Sequence, residues 1–299
     1  MKYIIDTDPG IDDTIAITLA YLNKLDIIGF TIASGNIPLK KTMKNIKIIQ
    51  DVLGSNIKMY KGEIENKCNH ETAEYAHGKD GLGYTYYPDT SKRKFERKKA
   101  EDFIISASKK YKDNLTLICF GPLTNIANAI KKDKDLPKRI KHILIMGTSY
   151  NPRSNKPYIE FNVNVDPISA KTVFNAPFND MRLVTHEIGI KSVIEKDYIR
   201  SLRNSDNHIS RFIASVAEKY MDFSYERYKI TGLASPDPAT IASIINPDVI
   251  TFKPCTIKVN IDENKSATCE VNLTNESNIK VAVNCDVDKY KEVFKSCIN

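Results

Sequence analysis

Cysteine is sparse in this 299-residue chain and badly spaced for metal or redox chemistry. The six, Cys68, Cys119, Cys255, Cys269, Cys285 and Cys297, include no Cys-x-x-Cys pair, which argues against zinc-ribbon and thioredoxin-like readings. Cys119 lies in an apolar run, where a buried thiol is the ordinary outcome. Tryptophan is absent. No segment reaches the ~20 apolar residues of a membrane-spanning helix, and Met1-Lys2-Tyr3-Ile4-Ile5-Asp6 meets a carboxylate too early for a signal-peptide core. No membrane partner and a reducing, cytoplasmic setting are expected. A strong charge of one sign is lacking too: 44 Lys+Arg against 37 Asp+Glu leave +7, which serves solubility and gives no nucleic-acid footprint. The one basic run, Lys92 to Lys99, has one aromatic and no glycine-rich RNA signature, and reads as a solvated approach to a helix.

What is present suits a large α/β domain. The composition, 41% hydrophobic and 27% charged, is that of a globular protein, and a chain of this length buries enough surface to need no structural metal or disulfide. Nearly continuous apolar runs at Tyr3 to Asp6, Ile27 to Ser34, Leu115 to Phe120, His142 to Met146 and Arg182 to Thr185 predict strands covered on both faces. Helical spacing predicts crossover helices over Asp13 to Leu22, Thr42 to Leu53, Ala100 to Tyr111, Leu123 to Ile130, Pro167 to Phe174, Ser205 to Tyr228 and Asp237 to Ile245. The pattern turns to alternating strands from Val249 to Val287. No repeat or linker divides the chain, so residues 1–299 are expected to form one domain: a mostly parallel central sheet flanked by helices, with a β-rich C-terminal part. The polar, glycine-rich stretch from Cys68 to Thr90 is expected to be a loop of functional kind.

The strongest chemical signal is Asp6-Thr7-Asp8-Pro9-Gly10-Ile11-Asp12-Asp13, four carboxylates within eight residues at the end of the first strand. Ligands of open α/β sheets bind outside the carboxyl ends of the strands, and Pro9-Gly10 turns the chain so that several acids converge on that edge. Converging carboxylates repel unless a positive charge sits among them. A hard divalent cation such as Ca²⁺ is the simplest answer, because it accepts six to eight oxygens in irregular geometry. The plainer alternative is that Asp12 caps the following helix while Asp6 and Asp8 serve a turn, which would account for one acid of the four. Asp6, within the strand, suits an orienting role behind the others.

This motif resembles the opening of the nucleoside hydrolase family, an Asp-x-Asp-Pro-Gly-x-Asp-Asp run. The resemblance continues through Gly35-Asn36, His77-Gly78, Gly121-Pro122-Leu123-Thr124-Asn125, Met146-Gly147, Glu160-Phe161-Asn162, Val165-Asp166-Pro167 and Asp237-Pro238, in the family's order across nearly the whole chain. It implies a Rossmann-like fold and cleavage of the N-glycosidic bond of ribonucleosides, in the service of nucleoside salvage. It implies Ca²⁺ held by Asp8, Asp13, the Phe120 carbonyl and Asp237, with a water on the cation as nucleophile and Asp8 as its general base. Asp12, Asn36 and Asn162 would hold the ribose diol. Glu160 would hold the 5′-hydroxyl with an upstream asparagine, here Asn155, one residue beyond the ungapped position Ser154. Met146 and Phe161 would lie beside ribose and base, and His77 near the substrate. Family members of this kind are commonly dimers or tetramers.

The chain departs from the pattern at the leaving-group acid. One branch of the family has a histidine before the last Asp-Pro, where this sequence has Pro236, which has no side-chain proton to give. Another branch stacks the base on tryptophans, absent here. Substitutes are His77, Tyr225 or Tyr228. His70, His142, His186 and His208 make weaker claims, with His186 placed after a predicted strand. Pro236 also keeps open a nucleoside- or ribose-binding protein with little activity. An aspartyl-phosphate phosphatase fits poorly, since Gly10 stands where that class has Thr or Val.

Overall fold

A computed structural model describes residues 1–62, 72–85, 87, 92–152, 154 and 158–298. The chain opens with β1 (Lys2–Thr7), α1 (Ile11–Leu22), β2 (Ile27–Ile32), α2 (Leu39–Val52), β3 (Met59–Lys61) and a one-turn α3 (Glu74–His77). It continues through α4 (Ala100–Tyr111), β4 (Leu115–Cys119), α5 (Thr124–Lys132), α6 (Leu136–Arg139), β5 (His142–Met146), α7 (Phe161–Val165), α8 (Pro167–Phe174) and β6 (Met181–Val184). The rest comprises α9 (His186–Lys191), β7 (Val193–Ile194), α10 (Lys196–Ser201), α11 (His208–Tyr228), β8 (Leu233–Ala234), α12 (Pro236–Ile245), β9 (Ile250–Ile261), β10 (Ala267–Leu273), β11 (Ile279–Cys285) and α13 (Val287–Ile298).

Nine of these strands form one sheet in the order β10-β9-β11-β6-β5-β4-β1-β2-β3. Pairing is parallel from β3 to β11, and antiparallel where β9 joins β11 and β10 joins β9. The expected α/β class with a β-rich C-terminal part is therefore what the chain adopts. Period-two alternation sorts the strands' apolar residues between two cores. Ile4, Leu117, Cys119, Ile143 and Ile145 meet α4, α5 and α8 on one face, while Ile5, Ile118, Phe120 and Met146 meet α1, α11 and α12 on the other. This two-sided burial is why the strands read as unbroken apolar runs.

The order 3-2-1-4-5-6 embedded in this sheet reverses direction between β1 and β4, which opens a crevice at the carboxyl ends of those two strands. Asp8 follows β1, Asn36 follows β2 and Phe120 follows β4, so all three arrive at that edge.

Several elements went unread in the sequence. The short β3, α7, α9 and α10 offer too few residues for a period, and α13 sits behind a run of strands. The Cys68 to Thr90 stretch lies partly outside the described residues, as do Cys68 and His70 themselves. Its described part holds α3 and then Gly78, Gly81 and Gly83, all at positive φ. The basic run is exposed except at its partly covered Arg93 and Phe95, and Arg93 pairs with Asp51. No described helix is long and apolar enough to cross a membrane.

Candidate active site

The first strand delivers its acids through a tight β-to-α turn. Gly10 caps α1, and its N–H donates to Asp13 Oδ2 at 3.0 Å. Asp13 is thus the capping carboxylate, not Asp12, and it also takes the Thr7 hydroxyl on Oδ1 and Asn36 Nδ2 at 2.9 Å on Oδ2. Asp12 accepts the Asp13 N–H at 3.1 Å and the Tyr220 hydroxyl at 3.2 Å. Asp6 faces back into the fold, taking Thr31 Oγ1 at 2.5 Å and Asn125 Nδ2 at 2.8 Å, which ties β1 to β2 and α5 as its place in the strand suggested.

Asp8 is fully buried. Its Oδ2 accepts the Asn36 N–H at 2.6 Å, and its Oδ1 has no hydrogen-bond partner among the described residues. Gly35 and Gly121 pack directly on this carboxylate, so a Cβ at either position would overlap it. Asp237 enters from the far end of the chain on the first turn of α12, behind Pro236, and its Oδ1 is likewise buried and unpartnered. One carboxylate oxygen from each of Asp12, Asp13 and Asp237 lies within 4.8 Å of the others.

Such crowding has an electrostatic signature. Burial, then repulsion from Asp13, raises the Asp8 carboxyl well above the ordinary range. Burial, then the charges of Asp12, Asp13, Asp8 and Glu160, does the same to Asp237. Burial likewise raises Asp12 and, with Asp12 as neighbour, Asp13. Acids in this state are short of positive charge. A hard divalent cation fits them, since the donors are oxygens and two buried ones have no partner among the described residues.

Above this floor lies a cleft lined by Asp12, Asn36, Asp237, Glu160 and Asn162, with Phe120, Met146 and Phe161 beside them. Asn162 Nδ2 donates to the Phe120 carbonyl at 2.6 Å and lies 3.3 Å from the Met146 carbonyl, which bridges the ends of β4 and β5. Glu160 caps α7 by accepting the N–H groups of Asn162 (3.1 Å) and Val163 (2.9 Å), and burial raises its carboxyl to about 7. Asn155 lies outside the described residues. Asp8 and Asp13 are not in the lining but beneath it.

The remaining wall is aromatic. His77 lines it, accepts the Ile11 N–H on Nδ1 at 3.1 Å and stands 3.8 Å from Asp12; burial lowers it to about 4, so the ring is neutral. Tyr228 also lines the cleft, whereas Tyr225 is 56% exposed and does not. His186 proves to be in the lining, with Tyr158, Tyr220, Phe223 and Pro236. Sequence reasoning missed Tyr158, Tyr220 and Phe223, which belong to no motif. The one available signal was His186's place after β6, at the same sheet edge as the acids. Thr148, after β5, is held at φ +87°, a conformation that costs a β-branched residue about 1–3 kcal/mol. Its carbonyl receives the His186 N–H at 3.1 Å.

Comparison with known proteins agrees with this geometry. Uridine nucleosidase 1 of Arabidopsis thaliana is 31% identical over 263 residues, covering 86% of this chain and 78% of that one. The inosine-uridine preferring nucleoside hydrolase of Leishmania major is 29% identical, covering 97% and 94%. The structure of a purine-preferring ribonucleoside hydrolase from Gardnerella vaginalis superimposes with a TM-score of 0.90 at 28% identity, covering 100% of this chain and 98% of that one. The family model for inosine-uridine preferring nucleoside hydrolases matches residues 3–292. With that match running almost from end to end, the chain belongs to the nucleoside hydrolase family.

Proposed function

We propose that this protein is a Ca²⁺-dependent ribonucleoside hydrolase that releases ribose and a free base. The observation that carries this reading is the group of buried acids at and beneath the cleft, Asp12, Asp13 and Asp237 with carboxylate oxygens within 4.8 Å of one another, together with Asp8 Oδ1 and Asp237 Oδ1, which have no partner among the described residues. Asp8, Asp13, the Phe120 carbonyl and Asp237 would hold the cation. Bound there, it would supply positive charge that gathers the sugar hydroxyls and eases loss of a proton from water.

The chain's own groups account for the rest. Breaking the bond at C1′ develops positive charge on the sugar, and a floor of buried carboxylates favours that charge more in the transition state than in the ground state. Asp8 takes the proton of the attacking water, because its free Oδ1 has no competing donor among the described residues. Asp12, Asn36 and Asn162 hold the ribose diol with short side chains that offer both donors and acceptors. Glu160, with Asn155, holds the 5′-hydroxyl. Met146 and Phe161 pack against sugar and base, and neutral His77 closes the side of the cleft by Asp12.

Relatives carry uridine, inosine-uridine and purine names, so family alone leaves the base open. We place the protein in cytoplasmic nucleoside salvage, as a homodimer or homotetramer of chains that each act as one domain. The test is release of reducing sugar from uridine, cytidine, inosine and adenosine, with a chelator and after Ca²⁺ is restored. Metal-dependent release from at least one is expected. Tight nucleoside binding without cleavage would instead support the binding-protein alternative.

A further inference from the structure

Breaking a glycosidic bond leaves an electron pair on the departing base, which departs faster when a group in the cleft donates a proton to it. Pro236, in the wall beside Asp237, has no proton. Two proton-bearing side chains nearby stand over the acid floor: the Tyr220 hydroxyl donates to Asp12, and His77, whose Nδ1 accepts the Ile11 N–H 3.8 Å from Asp12, keeps its one proton on Nε2 on the sugar side of the floor.

His186 and Tyr158 are tied to each other instead. Their rings stack with centroids 4.6 Å apart and planes 15° from parallel, and the Tyr158 hydroxyl lies 3.1 Å from His186 Nε2. The Tyr158 side chain also hydrogen-bonds that of Tyr228, whose ring stands 5.3 Å from the imidazole, so Tyr228 backs the pair as its third member. Backbone fixes the pair in place. His186 begins α9 and is anchored to the carbonyl of Thr148. Three residues on, Gly189 packs so tightly that an added Cβ would come 2.7 Å from Pro236 Cδ. Helix α9 is therefore fitted against the proline, and His186, one turn earlier, lines the same cleft.

We propose that His186 and Tyr158 together form the donor that meets the departing base, a role that rests on the hydrolase reading above. The oxygen of water bonds to C1′ and gives one proton to Asp8. The C1′–N bond breaks with its electron pair on the base, which takes one proton from the His186–Tyr158 pair. The pair recovers a proton from solvent, to which Asp8 releases its own. Either tautomer balances: with Nε2 accepting from Tyr158, the base takes the ring's other proton and the tyrosine hydroxyl refills the ring, leaving a tyrosinate until solvent reprotonates it; with Nε2 donating, the hydroxyl gives its proton, the ring refills it across the 3.1 Å contact, and solvent reprotonates the ring.

The test compares a nucleoside with p-nitrophenyl riboside, whose leaving group needs no proton, in the full-length wild type, His186→Ala and Tyr158→Phe. Both variants are expected to lower the ratio of kcat/KM for inosine or uridine to that for the p-nitrophenyl riboside by about 100-fold or more. His186→Gln, which keeps an N–H donor, should recover part of it. A ratio unchanged within about threefold in both folded variants, even with both activities reduced, would make the pair a packing or sugar-binding element and overturn the proposal. A wild type that cleaves neither substrate would fail the hydrolase reading itself, and the proposal with it.

Discussion

The backbone N–H of Asn36 donates to Asp8 Oδ2 at 2.6 Å, so the carboxylate after β1 hangs from the loop after β2. The same residue's Nδ2 reaches Asp13 Oδ2 at 2.9 Å and the Asp8 carbonyl at 3.2 Å. One asparagine thus orients two acids and leaves Asp8 Oδ1 without a partner among the described residues.

Asp8 is assigned two tasks, metal ligand and proton acceptor, which makes its removal diagnostic. Asp8→Ala should abolish sugar release, by about 10³-fold or more if the base is lost, and weaken Ca²⁺ binding at the same time. Steady-state kinetics and calorimetric Ca²⁺ titration check the two halves separately. Unchanged turnover in a folded variant would remove Asp8 from the mechanism.

Gly121 supplies a purely steric test of the same carboxylate. A Cβ at this position would overlap Asp8 Oδ1, so the buried carboxylate or the Gly121 backbone has to shift. Gly121→Ala is expected to lower kcat about 100-fold, the effect of misplacing a reacting group by roughly an ångström. Kinetics with a parallel melting curve separates this from unfolding.

Away from the site, Asp180 joins three strands. It accepts from His142 Nδ1 (2.7 Å), Arg182 Nε (2.9 Å) and Lys280 Nζ (2.9 Å), residues of β5, β6 and β11. Burial alone would raise its carboxyl, but hydrogen bonds from His142 and Lys280 and the Arg182 and Lys280 charges outweigh it and hold the group well below the ordinary carboxylate value. A folded-state value depressed in this way stabilises the protein above the unfolded value, and the stability is lost as pH falls through the folded one. Asp180→Asn should cost about 1–3 kcal/mol at pH 7 and flatten stability against pH below about 4, read by urea unfolding.

Much of this was legible beforehand because strands buried on both faces leave unbroken apolar runs, and because Asp8, Asp12 and Asp13 sit in one dense motif. Asp237, Asn36 and Asn162 were legible only through family resemblance, since each stands alone in its stretch of sequence. What stayed hidden depends on tertiary packing. Nothing local to Tyr158 or Tyr220 marks it as facing the cleft, and the choice of Asp13 over Asp12 as the cap of α1 depends on which carboxylate turns back toward Gly10. Of the substitutes for the missing acid, His77 and Tyr228 line the cleft, the weaker candidate His186 does too, and Tyr225 stays at the surface.

Asp8 and Asp13, after the first strand, and Asp237, on α12, are proposed to share one cation on which the sugar depends. This sharing is tested most directly by titrating Ca²⁺ calorimetrically into chelator-treated wild type and Asp237→Ala, and following nucleoside cleavage in the same samples. The expected result is one ion per wild-type chain, with activity rising in step with occupancy, and neither binding nor activity in the variant. Full activity in the chelator-treated wild type, with no heat of Ca²⁺ binding, would contradict it.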